Sequence, residues 1–292
     1  MASNRVDKWI LLGFLVPAFV LLAAFYIFPA LWAIRISFTD LALTGAKALN
    51  YSFVGFKEYQ KLFSSPDFFN ALGNTILYTV GTCVGQFTIG IIAALLLSRK
   101  KLWGQTILMS AIILPLVVPS LIQALLWQNM LASGDFGTLN RMIGFLGISP
   151  IQWVRDYPMI SVILVNFWNN SGFAMILFLA GLENIPTELL ESAQIDGANG
   201  WQTLRYIKLP LIRFVLLLWL LLNTLGCLNT FDLVYALTRG GPGTSTTIMG
   251  IFMYNEGFRY FELGIGSATA VVMLLISFVI AIIYVRLMRV EL

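Results

Sequence analysis

Long apolar runs alternate along this chain with short stretches where charges and turn residues gather. The first run, at 10–34, is long enough to cross about 30 Å of hydrocarbon at about 1.5 Å per residue. Comparable runs follow at 70–98, 105–130, 158–182, 214–233 and 263–285. The pattern predicts an all-α integral membrane protein, one domain over 1–292 with six transmembrane helices. Arg5 and Lys8 precede the first run as they would in a signal peptide, but the run is too long and carries Pro17 and Pro29, so it reads as an uncleaved span. In the third, Pro115 and Pro119 break the helix, and the freed backbone groups need protein or a water-filled cavity to satisfy them. Gly81, Gly85 and Gly90 in the second leave room for a neighbouring helix to approach closely. The segment SFVGFKEYQKLF, aromatic and charged, suits the membrane interface rather than a span.

The polar interruption at 183–210 has a pattern of its own. Thr187 follows Pro186 as an expected N-cap, and Glu188 and Glu191 place negative charge near the positive end of a helix. Leu189, Leu190 and Ala193 give that helix an apolar face. Gly197, after Asp196, supplies a left-handed turn without steric cost. A second amphipathic run, Trp201 to Ile207, then leads to Leu209-Pro210, where the next helix is expected to start.

Composition narrows what such a chain can be. Hydrophobic residues make up 59% and charged residues 11%, more apolar surface than a soluble core of 292 residues can hide. There is no histidine, which removes His-based catalysis, metal ligation by His and His-based pH sensing. Cys83 and Cys227 both fall inside apolar runs and read as small packing residues, not a disulfide or metal site. The net charge of +4 is spread through loops, which fits a membrane surface and not nucleic acid. Arg5, Lys8, Arg99, Lys100, Lys101, Arg205, Lys208, Arg213, Arg286 and Arg289 all fall on the side of the termini, so that side, including the 183–210 loop, is expected to be cytoplasmic.

No phosphate-binding loop and no Ser-His-Asp set is present, so the chain is not expected to be an enzyme. Charges are also missing from the middle of the spans, which speaks against an ion-driven carrier. The polar residues inside the spans are neutral. Ser120 and Gln123, then Asn166, Asn169, Asn170 and Ser171 beside Trp168 and Phe173, then Asn223, Asn229 and Thr230 offer amides and hydroxyls next to aromatic faces. That chemistry suits a neutral sugar or polyol better than a phosphate or carboxylate, for which an inward Arg or Lys is expected. The same amides could instead bond helix to helix.

Several of these segments resemble a known family. Glu191-Ser192-Ala193, Asp196-Gly197-Ala198 and Ile207-Lys208-Leu209-Pro210 resemble the EAA motif of ABC importer permeases, with Ser192 in place of the first alanine and Phe214 where many members have a second proline. SFVGFKEYQKLF, ILPLVVPS, VNFWNNSGFAMILFLAGLENIP and ALTRGGPGTST are similar, in the same order, to segments of carbohydrate permeases of the maltose-permease family. The resemblance implies a type I ABC importer permease in the cytoplasmic (inner) membrane of a bacterium or archaeon, working by alternating access. It implies a coupling helix at Glu188, Glu191, Ser192, Ala193, Asp196, Gly197 and Ala198 that docks on an ATPase subunit. Substrate contacts carry over to Ser120, Asn166, Asn169, Asn170, Phe173, Cys227 and Thr230; Cys227 and Thr230 replace the family's asparagines. The implied partners are a second homologous permease subunit, two ATPase subunits carrying ATP and Mg, an extracytoplasmic solute-binding protein and a carbohydrate, with no cofactor on this chain. A secondary carrier or channel for a neutral polar solute is the main alternative, and a membrane enzyme or structural subunit the other.

Overall fold

The computed structural model describes residues 8–98 and 104–289; among those residues the regular structure is helical, joined by turns and irregular segments, apart from one isolated bridge, Thr39 to Phe53. Of the basic residues used above to orient the chain, Arg5, Arg99, Lys100 and Lys101 lie outside the described residues. Four helices are long and apolar enough to cross a membrane, and two bent pairs bring the total to as many as six. By its internal contacts the chain divides into two units: one runs to Ser65 and adds Phe252–Leu274, the other holds Pro66–Ile251 and Leu275–Leu292.

The first unit begins with α1 (Lys8–Leu22), a π-helical segment Ala23–Ile27 and α2 (Phe28–Ile36), which together supply the first span. Beyond it the chain turns into a polar and aromatic knot. Ser37 Oγ lies 2.7 Å from the Tyr59 hydroxyl, and Phe38 packs against Phe53, Phe56 and Tyr59. α3 (Lys57–Ser64) is the amphipathic helix of the SFVGFKEYQKLF segment, with Leu62 and Glu58 buried and Lys61 2.7 Å from the Glu58 carboxylate. Leu43 donates to Phe261 O and Gly264 donates to Leu41 O, which ties this knot to the returning chain.

The second unit is built on α4 (Pro66–Leu97), which pairs with α8 below and carries a reversed amphipathic pattern. Its buried face holds Thr75, Thr79, Thr82 and Gln86 with small residues, while Ile76, Val80, Val84 and Ile92 point outward. That is the arrangement expected in lipid, where association depends on close packing and hydrogen bonds because hydrocarbon solvates aliphatic side chains well. The third run becomes α5 (Gln105–Val117) and α6 (Ser120–Met130), bent by 108° at Val118-Pro119. Pro115 stays inside α5, and the break comes where Pro119 takes the N-cap of α6. Gln123, fully buried, donates to Pro115 O, which also accepts from Val118 N–H, and to Val118 O, both at 2.7 Å, and so ties the two sides of the break together.

A turn-rich segment with α7 (Thr138–Gly144) leads to α8 (Pro158–Glu183). Asn140 pins that segment: its amide donates to Ala132 O, Gly134 O and Ile151 O, and its carbonyl accepts from Ile151 N and Trp153 Nε1. The contact of α8 with α4 passes over the glycines picked out in the sequence. A Cβ on Gly90 would lie 2.5 Å from the Cβ of Ala174, and one on Gly81 would lie 2.7 Å from Ile163 Cδ1. α9 (Thr187–Ile195) and α10 (Gly200–Thr203) form the 183–210 loop, and helical chain continues to Leu211 before a 68° bend into α11 (Arg213–Leu228).

The run expected to stay helical to 233 stops at Leu228. There Asn229 donates back to Leu225 O and Thr230 Oγ1 to Gly226 O, so side chains compete for the carbonyls of the last turn. The chain restarts as α12 (Asp232–Thr238), and Gly250 lies against the broken backbone, where a Cβ would come within 2.7 Å of Thr230 O. After the TRGGPGTSTT turn, stitched by Thr238, Thr246 and Thr247, the last span is α13 (Leu263–Arg289).

Candidate functional site

Along α8 the apolar positions fall into two groups. Val162 and Val165 join a cluster with Tyr78, Trp127, Cys227 and Leu237, whereas Ala174, Met175, Phe178 and Leu182 join another with Ala94, Ile212 and Trp219. Asn166 to Phe173 lie between the two. Irregular backbone from the α11–α12 break faces the same level, the kind of place where a membrane protein can tolerate it.

Two adjoining recesses open there. The first, about 230 Å³, is lined by Ser120, Asn166, Asn169, Asn170, Asn229, Thr230, Phe231, Asp232 and Leu233. The second, about 240 Å³, is lined by Asn166, Asn170, Phe173, Leu222, Asn223, Gly226, Cys227 and Thr230. They share Asn166, Asn170 and Thr230. All seven residues carried over for substrate contact therefore line one or other of these two recesses, although they come from three separate stretches of sequence. Each recess alone is below the roughly 300–1,000 Å³ of a small-molecule site, while the pair falls within it.

The amides in this space do different jobs. Asn166 is 5% exposed and committed: its Nδ2 donates to the Tyr78 hydroxyl at 2.5 Å and lies 3.8 Å from Cys227 Sγ, and its Oδ1 accepts from Asn170 at 2.9 Å. Gln86, fully buried on α4, donates to Asn166 O at 2.9 Å. Asn166 thus braces three helices and presents only part of its surface to the recess. Asn169 accepts from Gln123 at 2.6 Å through Oδ1, which leaves its NH₂ to the recess; Asn170 spends a donor on Asn166 and keeps its carbonyl. Such a wall offers a ligand both donors and acceptors on a rigid frame.

Several residues of this site escape a reading of the sequence alone. Tyr78 and Gln86 support it from α4, and the signal for them was present: Thr75, Thr79, Thr82 and Gln86 recur at helical spacing inside an apolar run. Phe231 and Asp232 line the first recess because the helix breaks before them, which the uncharged run to Phe231 does not reveal. Among the described residues, Asp232 is the one carboxylate on the two recesses, and no basic residue lines either.

The 183–210 loop forms a second candidate site. Pro186, not Thr187, holds the N-cap of α9, and no side chain caps it; Thr187 is already the first helical residue. At the other end the sequence reading and the geometry agree. Gly197 has φ +77°, its N–H donates to Gln194 O, and Ala198 N–H donates to Ala193 O, the two bonds of a Schellman ending. Ala193 is buried, and the half-buried Leu190 packs against the cluster that holds Ile185 and Ile212. Leu189 departs from the expected apolar face and points outward, as do Ile195 and, further on, Trp201 and Tyr206. Glu188, Glu191, Ser192, Asp196 and Gly197 are all exposed, and Ser192 Oγ donates back to Glu188 O. Asn199 and Gln202 make a reciprocal capping box that starts α10. Pro210 falls inside the helical stretch instead of starting the span, which begins at Arg213.

Residues 86–289 match the family model described as binding-protein-dependent transport system inner membrane component. The chain is 32% identical to the sulfoquinovosyl glycerol transport system permease protein SmoG of Agrobacterium fabrum, over 98% of this chain and 94% of that protein. It is 30% identical to the trehalose/maltose transport system permease protein MalF of Thermococcus litoralis, over 95% and 94%. Its fold is similar to a chain of a bacterial alginate ABC transporter solved with an alginate pentasaccharide-bound periplasmic protein, with TM-score 0.81, 23% identity, and coverage of 95% and 93%.

Proposed function

The chain belongs to the inner-membrane components of binding-protein-dependent transport systems, and from that premise we propose that it is the carbohydrate-translocating permease subunit of an ATP-driven importer. The observation that carries the reading is the pair of recesses sharing Asn166, Asn170 and Thr230, which amides and hydroxyls from α6, α8 and the α11–α12 break line together. Hydroxyl-rich neutral ligands match such a wall, because each hydroxyl can both donate and accept. Transport of sulfoquinovosyl glycerol and of trehalose and maltose by the systems of two relatives supports a carbohydrate cargo.

The partners in this reading are a second permease subunit, two ATPase subunits and an extracytoplasmic binding protein. The termini and the 183–210 loop face the cytoplasm, with α9 seated on an ATPase. Its exposed Leu189, Ile195 and Glu191 supply the contact, and half-buried Leu190 anchors it to the spans. ATP shifts the spans only by binding one conformation better than the other, so a rigid α9 must carry that preference inward. The broken α11–α12 backbone then exposes the recess to one side of the membrane at a time.

The test is reconstitution of the whole assembly in lipid with its binding protein, with a panel of sugars screened for stimulated ATP hydrolysis and uptake. A neutral carbohydrate that drives both is expected. Uptake by this chain without ATPases would establish a carrier instead.

A further inference from the structure

A third and larger cavity, about 570 Å³, adjoins the recess and shares Ser120, Phe231 and Asp232 with it. Two helices form its walls. On α12, Asp232, Tyr235, Ala236 and the capping Arg239 line it at positions i, i+3, i+4 and i+7, a single face. On α6, Leu121, Leu125 and Gln128 do the same at i, i+4 and i+7. Tyr235 stands between Asp232 and Arg239 along the helix, and its ring stacks on that of Phe231 at 4.9 Å and 21°.

The charged residues here are not used by the fold. Neither Asp232 nor Arg239 belongs to the ion pairs Lys47–Asp40 and Lys61–Glu58, and both are exposed. Arg239 also holds a left-handed backbone with φ 54°, a conformation that L-residues with a side chain adopt at a cost. A carboxylate and a guanidinium, about 10 Å apart at 1.5 Å per residue along one face, with an aromatic surface between them, form a recognisable set. Apolar ring faces pack on aromatic rings. Hydroxyls at either end of a sugar ring donate to the carboxylate and accept from the guanidinium, and charge makes both bonds strong.

We propose that this groove is an outer subsite for a second, uncharged glycosyl unit of an oligosaccharide whose first unit occupies the Asn166–Asn170 recess. The inference rests on the carbohydrate reading above and adds length and charge to it. Asp232, on the wall of both spaces, disfavours a carboxylated or sulfonated sugar at the junction, and Arg239 closes the far end.

The reconstituted assembly with saturating binding protein tests it, using glucose, maltose and maltotriose as probes if any of them stimulates hydrolysis, and otherwise the mono-, di- and trisaccharides of whichever series does. The binding protein is the same for each permease variant, so differences between variants report on the permease. Arg239→Gln and, by filling the groove, Ala236→Trp should lower the trisaccharide-to-monosaccharide ratio of stimulated hydrolysis by roughly tenfold. Asn170→Ala, in the inner recess, should depress all lengths together. If Arg239→Gln and Ala236→Trp leave the ratio unchanged, or the assembly accepts monosaccharides alone, the outer subsite is wrong while the carbohydrate reading stands. If no carbohydrate of any length stimulates the assembly, both fail.

Discussion

The first span and the fourth are both long and apolar enough to cross a membrane, and they pack in opposite ways. The window that identifies Leu15–Ile36 as membrane-spanning has none of its residues buried within the chain, whereas half of the corresponding window in Pro158–Glu183 is buried. Yet the fourth is the least apolar of the four long spans, and Leu263–Met288, the most apolar, is only 17% buried. The two more apolar of the four, Leu15–Ile36 and Leu263–Met288, are also the two least buried within the chain, so high hydropathy marks the helices least packed against the rest, and the interior has to be found by small and polar residues. Ser161, Asn166, Ser171 and Gly172 mark it on α8, as Thr75, Thr82, Gln86 and Gly90 do on α4.

The sharpest way to break this comparison is the same substitution in both places. Gly90→Leu puts a side chain against Ala174, where the nearest obstacles include backbone, and should destabilise the protein by about 3 kcal/mol, the upper end of overpacking effects. Gly13→Leu meets nothing within 4 Å and should leave the unfolding temperature in detergent unchanged. Equal shifts for the two would mean that the glycines of α4 are incidental.

Next in size is the brace at the bend of the third run. Gln123→Leu keeps the volume and removes the donor to Pro115 O, Val118 O and Asn169 Oδ1, leaving buried acceptors without it. A loss of about 2 kcal/mol is expected in the same unfolding assay, along with weaker sugar stimulation because Asn169 loses its orientation. Full sugar stimulation in a destabilised Gln123→Leu protein would separate the bend from the site.

Gly197→Val should cost about 1–2 kcal/mol of backbone strain at a left-handed position where there is otherwise open space. The effect sits in the exposed loop, so the spans should insert normally while ATP hydrolysis loses its dependence on sugar. Hydrolysis and uptake measured together decide it, and wild-type coupling would show that the Schellman turn is not part of the transmission.

Much of this architecture is legible in the sequence, for reasons of length and local chemistry. Apolar runs of 20 or more residues fix where helices cross, and a glycine after Asp196 announces a turn whatever surrounds it. What the sequence conceals is set by tertiary contact. The end of α11 at Leu228 depends on Asn229 and Thr230 bonding backward and on Gly250 making room from 20 residues away. Because that break is hidden, so are Phe231 and Asp232 as lining residues, and with them the outer groove. Likewise nothing local says that Asn166 is mostly a brace and Asn170 mostly a wall; the difference lies in Tyr78 and Gln86, both on α4 and at least 80 positions away.

The central claim is that carbohydrate passes through the recess between α6, α8 and the α11–α12 break. Uptake of labelled sugar into vesicles holding the reconstituted assembly, compared between wild type and Asn170→Ala, tests it most directly. The account predicts uptake reduced by roughly tenfold or more, the loss expected when a ligand hydroxyl has no partner in a polar site, while hydrolysis of ATP without sugar continues. Uptake at the wild-type rate would contradict it.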